Sequence, residues 1–169
     1  ALAWNTSGSG NTAVGAYALR SNSTGQRNTG LGYGSLFENT TGSGNTALGH
    51  LSLTSNTTGS NNTAVGWSAL GENTIAALNT AVGWESMRFS AEGGSNTALG
   101  AQSLLRNAGT NNVGIGYSTL SSNTSGSYNT AVGTEALYFN TSGQDNAAVG
   151  YRSMLYKTTG LYNAGFGNY

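Results

Sequence analysis

The chain has no cysteine and no proline, and only 7% of its residues are charged. Without cysteine there is neither a disulfide framework nor a thiolate metal site. A charged fraction of 7% is far below the roughly 25% of ordinary soluble domains. Six Lys and Arg are balanced by six Asp and Glu. That leaves no basic surface to neutralise phosphates, so nucleic acid is not an expected partner. Long apolar runs are missing too, and no segment approaches the about 20 residues of a membrane-spanning helix. No stretch reads as a secretory signal, and position 1 is Ala1 rather than Met. What fills the chain is Gly, 27 of 169 residues, with Asn, Ser and Thr as the polar bulk. Composition of this kind, taken alone, points to disorder.

A strict period overrules that reading. The segment Asn11-Thr12-Ala13-Val14-Gly15 returns at Asn28, Asn45, Asn62, Asn79, Asn96, Asn112, Asn129, Asn146 and Asn163. Every step is 17 residues except Asn96 to Asn112, which is 16. Self-similarity at this spacing marks a solenoid, in which each repeat is one unit stacked on the last. Nine full repeats occupy 11–162, with partial repeats at 1–10 and 163–169. The chain therefore reads as one repeat domain cut from a longer fibre.

Numbered from its Asn, the repeat has a small residue at position three and an apolar one at position four, then an invariant Gly. Position eight is small, position nine is Leu or Met, and a second turn follows, such as Asn56-Thr57-Thr58-Gly59. Positions two to four alternate as a strand does. Gly and Asn recur in every window that might be helical, so a helical repeat is disfavoured. Seventeen extended residues would reach roughly 56 Å, so each repeat folds back on itself. The expected fold is all-β, a parallel β-solenoid or β-roll of stacked 17-residue coils. We expect positions two and four, Thr12 and Val14 in the first copy, to face the interior beside the Leu of position nine. Position three would then point outward. An outward column that never exceeds Ala implies a second surface pressed against it, hence a homotrimeric fibre segment.

The repeat N-T-A-V-G-x-x-A-L-x-x-N-T-T-G resembles the head repeats of trimeric autotransporter adhesins, with their motif N-S-V-A-I-G. It is also similar to the Asn-Thr-Gly-rich repeats of phage and marine-virus tail-fibre proteins. The resemblance covers the whole chain. It implies a left-handed trimer of parallel β-rolls on an extracellular virion tail fibre that attaches to a host-surface glycan or protein. A bacterial cell-surface adhesin is the alternative, and an ice-binding solenoid is a third reading. Ice binding is prompted by the Thr column from Thr12 to Thr130 and set aside because Val113 and Ala147 interrupt it and its parity is read as inward.

Catalytic chemistry finds little support. His50 is the single histidine and has no nucleophile or orienting acid clustered with it in the repeat pattern. Glu38 and Glu72 share position eleven two rungs apart, about 9.6 Å by rung spacing, near an inverting carboxylate pair. Glu85 and Glu135 share position seven at a wider spacing. These carboxylates read as solvated loop residues, so no enzyme activity, cofactor or metal is expected. Calcium-binding solenoids need a repeated Asp, and Asp145 is the only one. The Gly30, Gly32, Gly34 spacing mimics a phosphate loop without the helix that must follow. Triplets such as Asn39-Thr40-Thr41 match glycosylation acceptors but are by-products of the turn motif. The functional candidate is position six, where Tyr33, His50, Trp67, Trp84, Tyr117 and Tyr151 form an aromatic stripe. Two readings stand: glycan contact through ring faces, or burial at the trimer interface. Phe37, Leu105, Tyr138 and Leu155 at position ten, with Phe89, Phe139 and Tyr156 at position eleven, form a second apolar set, read as structural.

Overall fold

A computed structural model describes residues 1–168. Ten strands of three residues are laid down one per repeat. They are β1 (Thr12–Val14), β2 (Thr29–Leu31), β3 (Thr46–Leu48), β4 (Thr63–Val65), β5 (Thr80–Val82), β6 (Thr97–Leu99), β7 (Val113–Ile115), β8 (Thr130–Val132), β9 (Ala147–Val149) and β10 (Ala164–Phe166). Each pairs in parallel with the next, in sequence order, to form one ten-stranded sheet. The register is that of the repeat: Thr12 lies beside Thr29, Ala13 beside Gly30 and Val14 beside Leu31. Across the 16-residue step the register holds, with Thr97 beside Val113. The result is a β-solenoid of about nine turns. At about 4.8 Å per rung its sheet is roughly 43 Å long.

The strands face the opposite way from the expectation. Position three is the buried one: Ala47, Ala64, Ala81, Ala98, Ala131 and Ala148 are fully enclosed. Position four looks outward, and Val14, Leu31 and Leu99 are 55%, 48% and 48% exposed. The smallness of position three therefore comes from the coil's own interior and gives no evidence of a neighbouring chain. At Gly30 an added Cβ would lie 3.0 Å from Ser35 Oγ and 3.5 Å from Leu19 Cγ. The interior is only wide enough for a small residue on the sheet wall, opposite the Leu of position nine. That Leu column, Leu19, Leu36, Leu53, Leu70, Met87, Leu104, Leu120 and Leu137, is wholly buried. Each such side chain contributes on the order of 1.5–3 kcal/mol.

The second wall is built from alternating backbone conformations. Among the described residues all 26 non-glycine residues with positive φ fall at positions seven, nine and seventeen (the sixteenth and last, Asn111, in the short repeat), for example Leu51 (56°), Leu53 (49°) and Asn61 (58°). No Val, Ile or Thr stands at any of these positions, because a β-branched side chain in the left-handed region is strongly disfavoured. The alternation splits the amides between two tasks. The Leu19 N–H donates to Ser35 O one rung on, the Arg20 N–H to Tyr17 O locally, and the Ser21 N–H to Phe37 O one rung on. Backbone donors in an irregular wall are thus satisfied without a second sheet.

Two columns of buried Asn complete the interior. In position one, the Asn45 N–H donates to Asn28 Oδ1 at 2.9 Å, and its Nδ2 donates to Gly59 O at 2.8 Å. Position twelve runs in parallel: Asn56 Nδ2 donates to Asn39 Oδ1 at 2.7 Å and to the same Gly59 O at 2.9 Å. The Asn of the second turn thus serves an interior ladder. Its side chain donates to a carbonyl three residues on, as Asn56 Nδ2 does to Gly59 O. Asn39, the first residue of a glycosylation-like triplet, is fully buried in this ladder. The ladder is interrupted twice. Ser90 and Lys157 replace Asn at position twelve, and among the described residues the two buried side-chain oxygens left without a partner are Asn73 Oδ1 and Asn140 Oδ1, each one rung before a replacement.

The Gly of position five is required at the corner after each strand. Gly66 has φ 131°, and a Cβ there would lie 2.5 Å from the Gly83 carbonyl oxygen. The next rung's backbone occupies the space.

Candidate functional site

Three outward surfaces follow from this fold. The first is the outer face of the sheet, with Thr at position two in β1 through β6 and β8 and an apolar residue at position four throughout. It carries no charged side chain, and its Thr and Val/Leu columns run in register along the rod. The apolar strip runs unbroken across all ten strands. The sequence signal for it was present, since the T-A-V alternation puts Thr and Val on one side. Which side that was could not be read.

The second surface is the stripe at position six. All six candidate residues, Tyr33, His50, Trp67, Trp84, Tyr117 and Tyr151, are exposed in the chain. They do not form one uniform ladder. Tyr33 and His50 stack with centroids 5.2 Å apart, His50 and Trp67 at 6.4 Å, and Trp67 and Trp84 at 5.9 Å. Tyr17, from position seven, caps this run edge-on against Tyr33 at 5.4 Å. Faces within the run are spent on one another. Beyond Trp84 the column is broken by Ala101 and Thr134. Tyr117 stands between them with no ring stacked on it among the described residues. Tyr151 carries the Arg152 guanidinium 5.0 Å over its ring. The run and the isolated ring are therefore chemically distinct.

The third surface is a cleft of about 360 Å³ on the second wall, between the stripe and the aromatic set at positions ten and eleven. Tyr117, Tyr138, Phe139 and Tyr156 supply rings, while Gln102, Ser118, Glu135 and Arg152 supply polar groups. Its aromatic side is ordered by ring contacts. Phe139 meets Tyr138 edge-on at 4.7 Å and stacks on Tyr156 at 5.6 Å. Its polar side is an ion pair, Arg152 Nε donating to Glu135 Oε2 at 2.6 Å. That hydrogen bond to Glu135 holds the Arg152 pKa above its ordinary value, against a smaller opposing effect of desolvation. The repeat explains the hollow: outward positions seven, ten and eleven of the rung at 112–128 are all serine, Ser118, Ser121 and Ser122. The next rung carries Glu135, Tyr138 and Phe139 at the same places.

His50 is held within the stacked run, and Glu85 pairs with Arg88 and accepts from Gln102 Nε2 at 3.0 Å. Among the described residues no group of three or more His, Asp or Glu is placed to hold a metal ion. Nor is any helix long and apolar enough to cross a membrane. A larger hollow of about 510 Å³, around Met154, Gly165 and Phe166, is the stacking face at the end of the coil. It is not a groove along the rod.

What these features define is an all-β tandem-repeat protein, a parallel β-solenoid with a charge-free sheet face and an aromatic second wall. No protein-family model, curated protein or solved structure matches the chain.

Proposed function

We propose that this solenoid is a structural and adhesive segment of a viral, phage-type tail fibre, a left-handed roll that associates as a homotrimer and presents a rigid rod for attachment to a host surface or glycan. The observation that carries the reading is the outer face of the sheet. Ten apolar residues at position four form a column along the rod, Val14 to Phe166, and none is fully buried within one chain. Packing three such faces together would remove them from water, and each rung would add its own increment because the register repeats. The trimer proposed here is thus held by positions two and four. The second wall, with its rings, stays outward, and many weak contacts along a rigid trimer would add to firm attachment. A bacterial trimeric adhesin would use the same geometry.

Sedimentation equilibrium on the chain tests this. We expect a trimer, and we expect Leu48→Lys combined with Val82→Lys to give a folded monomer, since both positions point outward from the sheet. A wild-type monomer would refute the assembly. One observation favours a second reading. Six successive Thr from Thr12 to Thr97 face outward on a regular parallel ladder, which removes the parity objection to ice binding. Thermal hysteresis from a monomeric chain would select that reading over the fibre.

A further inference from the structure

We propose that the cleft beside Tyr117 is a binding site for a neutral pyranose of a surface glycan. Three observations carry it. Tyr117 is the one aromatic residue of the stripe flanked by small residues on both rungs, Ala101 and Thr134, and it is half exposed. Trp84 and Tyr151 lie two rungs away on either side, about 9.6 Å along the axis. Neither of them lines the cleft, and no ring among the described residues covers Tyr117. The run Tyr33, His50, Trp67 and Trp84, by contrast, has already spent its inner faces on stacking.

The polar side supplies what sugar hydroxyls need. Glu135 and Arg152 orient each other through one hydrogen bond, which leaves a carboxylate oxygen as acceptor and the terminal guanidinium nitrogens as donors. Gln102 donates its Nε2 to Glu85, so its carbonyl is held in place as a further acceptor. One carboxylate and one guanidinium make the cleft formally neutral, which matches an uncharged hexose or N-acetylhexosamine rather than a sialic or uronic acid. About 360 Å³ falls within the range of small-ligand sites and accommodates one to two sugar rings. The cleft is lined from positions six, seven, ten and eleven, and the trimer proposed above uses positions two and four.

The site deepens the attachment reading above, but sugar binding and trimer formation are measured separately. Saturation-transfer NMR on the intact chain, with lactose, maltotriose and diacetylchitobiose as neutral probes and 3′-sialyllactose as the anionic one, tests it. We expect transfer from the aromatic protons to at least one neutral probe and weaker transfer to the anionic one. Tyr117→Ala and Arg152→Gln should each weaken binding by roughly tenfold or more, while Trp67→Ala leaves it unchanged. Because truncation can loosen a cleft, the decisive variant adds rings instead. Ala101→Tyr with Thr134→Tyr uses a residue that position six already accepts at Tyr33, Tyr117 and Tyr151, and completes the stack over both faces of Tyr117. It should abolish binding while the melting temperature stays the same or rises. Binding that survives this double variant, preference for the anionic probe, or no transfer to any neutral probe would overturn the proposal. A trimer that binds none of the probes removes the cleft and leaves the rod reading standing. A monomer that binds them does the reverse.

Discussion

Ser90 is where the interior can be tested most sharply. Inside the unbroken part of the ladder a position-twelve Asn makes two buried donations, as Asn56 does to Asn39 Oδ1 and Gly59 O, and accepts one from the rung above, as from Asn73. Ser90 makes neither donation and leaves Asn73 Oδ1 unpartnered; its Oγ instead donates to Leu104 O at 3.4 Å and accepts from the Asn107 N–H at 3.2 Å. Two new buried hydrogen bonds at about 1 kcal/mol each and relief of the orphaned oxygen at about 1–3 kcal/mol, less the two long bonds of Ser90, put the gain from Ser90→Asn near 2–3 kcal/mol. A neighbour opposes it. Position fifteen of the preceding repeat is Ala76, where most repeats have Gly. A Cβ at the equivalent Gly42 would lie 2.9 Å from Asn56 Nδ2, and at Gly59 3.0 Å from Asn73 Nδ2. An amide at position 90 would therefore crowd the Ala76 methyl, and overpacking of this kind costs about 1–3 kcal/mol. The single Ser90→Asn variant should gain almost nothing. Ala76→Gly alone should lose about 0.5–1 kcal/mol in chain entropy. The double variant should exceed the wild type by about 1–2 kcal/mol, a rise of roughly 2–8 °C in Tm, with a coupling energy of about 1–3 kcal/mol. Thermal melts by circular dichroism on the four proteins give the cycle directly. Strict additivity, or a double variant less stable than the wild type, would refute the ladder account.

Two further outcomes test the backbone. Leu70→Ile preserves volume, and such swaps in ordinary cores cost under about 1.5 kcal/mol. At φ 50° the branched side chain should cost about 2 kcal/mol or more, read by urea denaturation against Leu70→Met as the unbranched control. Gly66→Ala places a methyl against the Gly83 carbonyl at a φ of 131° and should destabilise the rod by about 3 kcal/mol. Hydrogen exchange should show the loss concentrated in the rungs on either side.

The period, the position of each strand, the rung-to-rung Asn column and the corner Gly are all legible in the sequence. Each depends on a residue type that recurs at one spacing for one local reason. Asn11 through Asn163 must stand in register because an amide bonds to its own equivalent, and the Gly of position five must be Gly because another backbone touches it. The exclusion of β-branched residues from positions seven, nine and seventeen was also written in the chain. It is an absence spread over nine repeats and shows only once φ is known. The aromatic stripe was visible as a column, but its division into a stacked run and an isolated Tyr117 depends on how rings turn toward one another.

The sequence by itself determined that Thr12 and Val14 share one side of the strand and Ala13 has the other, because alternation has a period of two. Only the tertiary structure decided which side is the inside. A period of two is unchanged when the two faces are exchanged, so hydrophobicity tempts the reader to turn Val14 inward. The left-handed residues at positions seven and nine bring the Leu column so close to the sheet that only Ala or Gly fits opposite. That narrow interior turns Thr and Val outward, and it creates the face on which the proposed trimer rests.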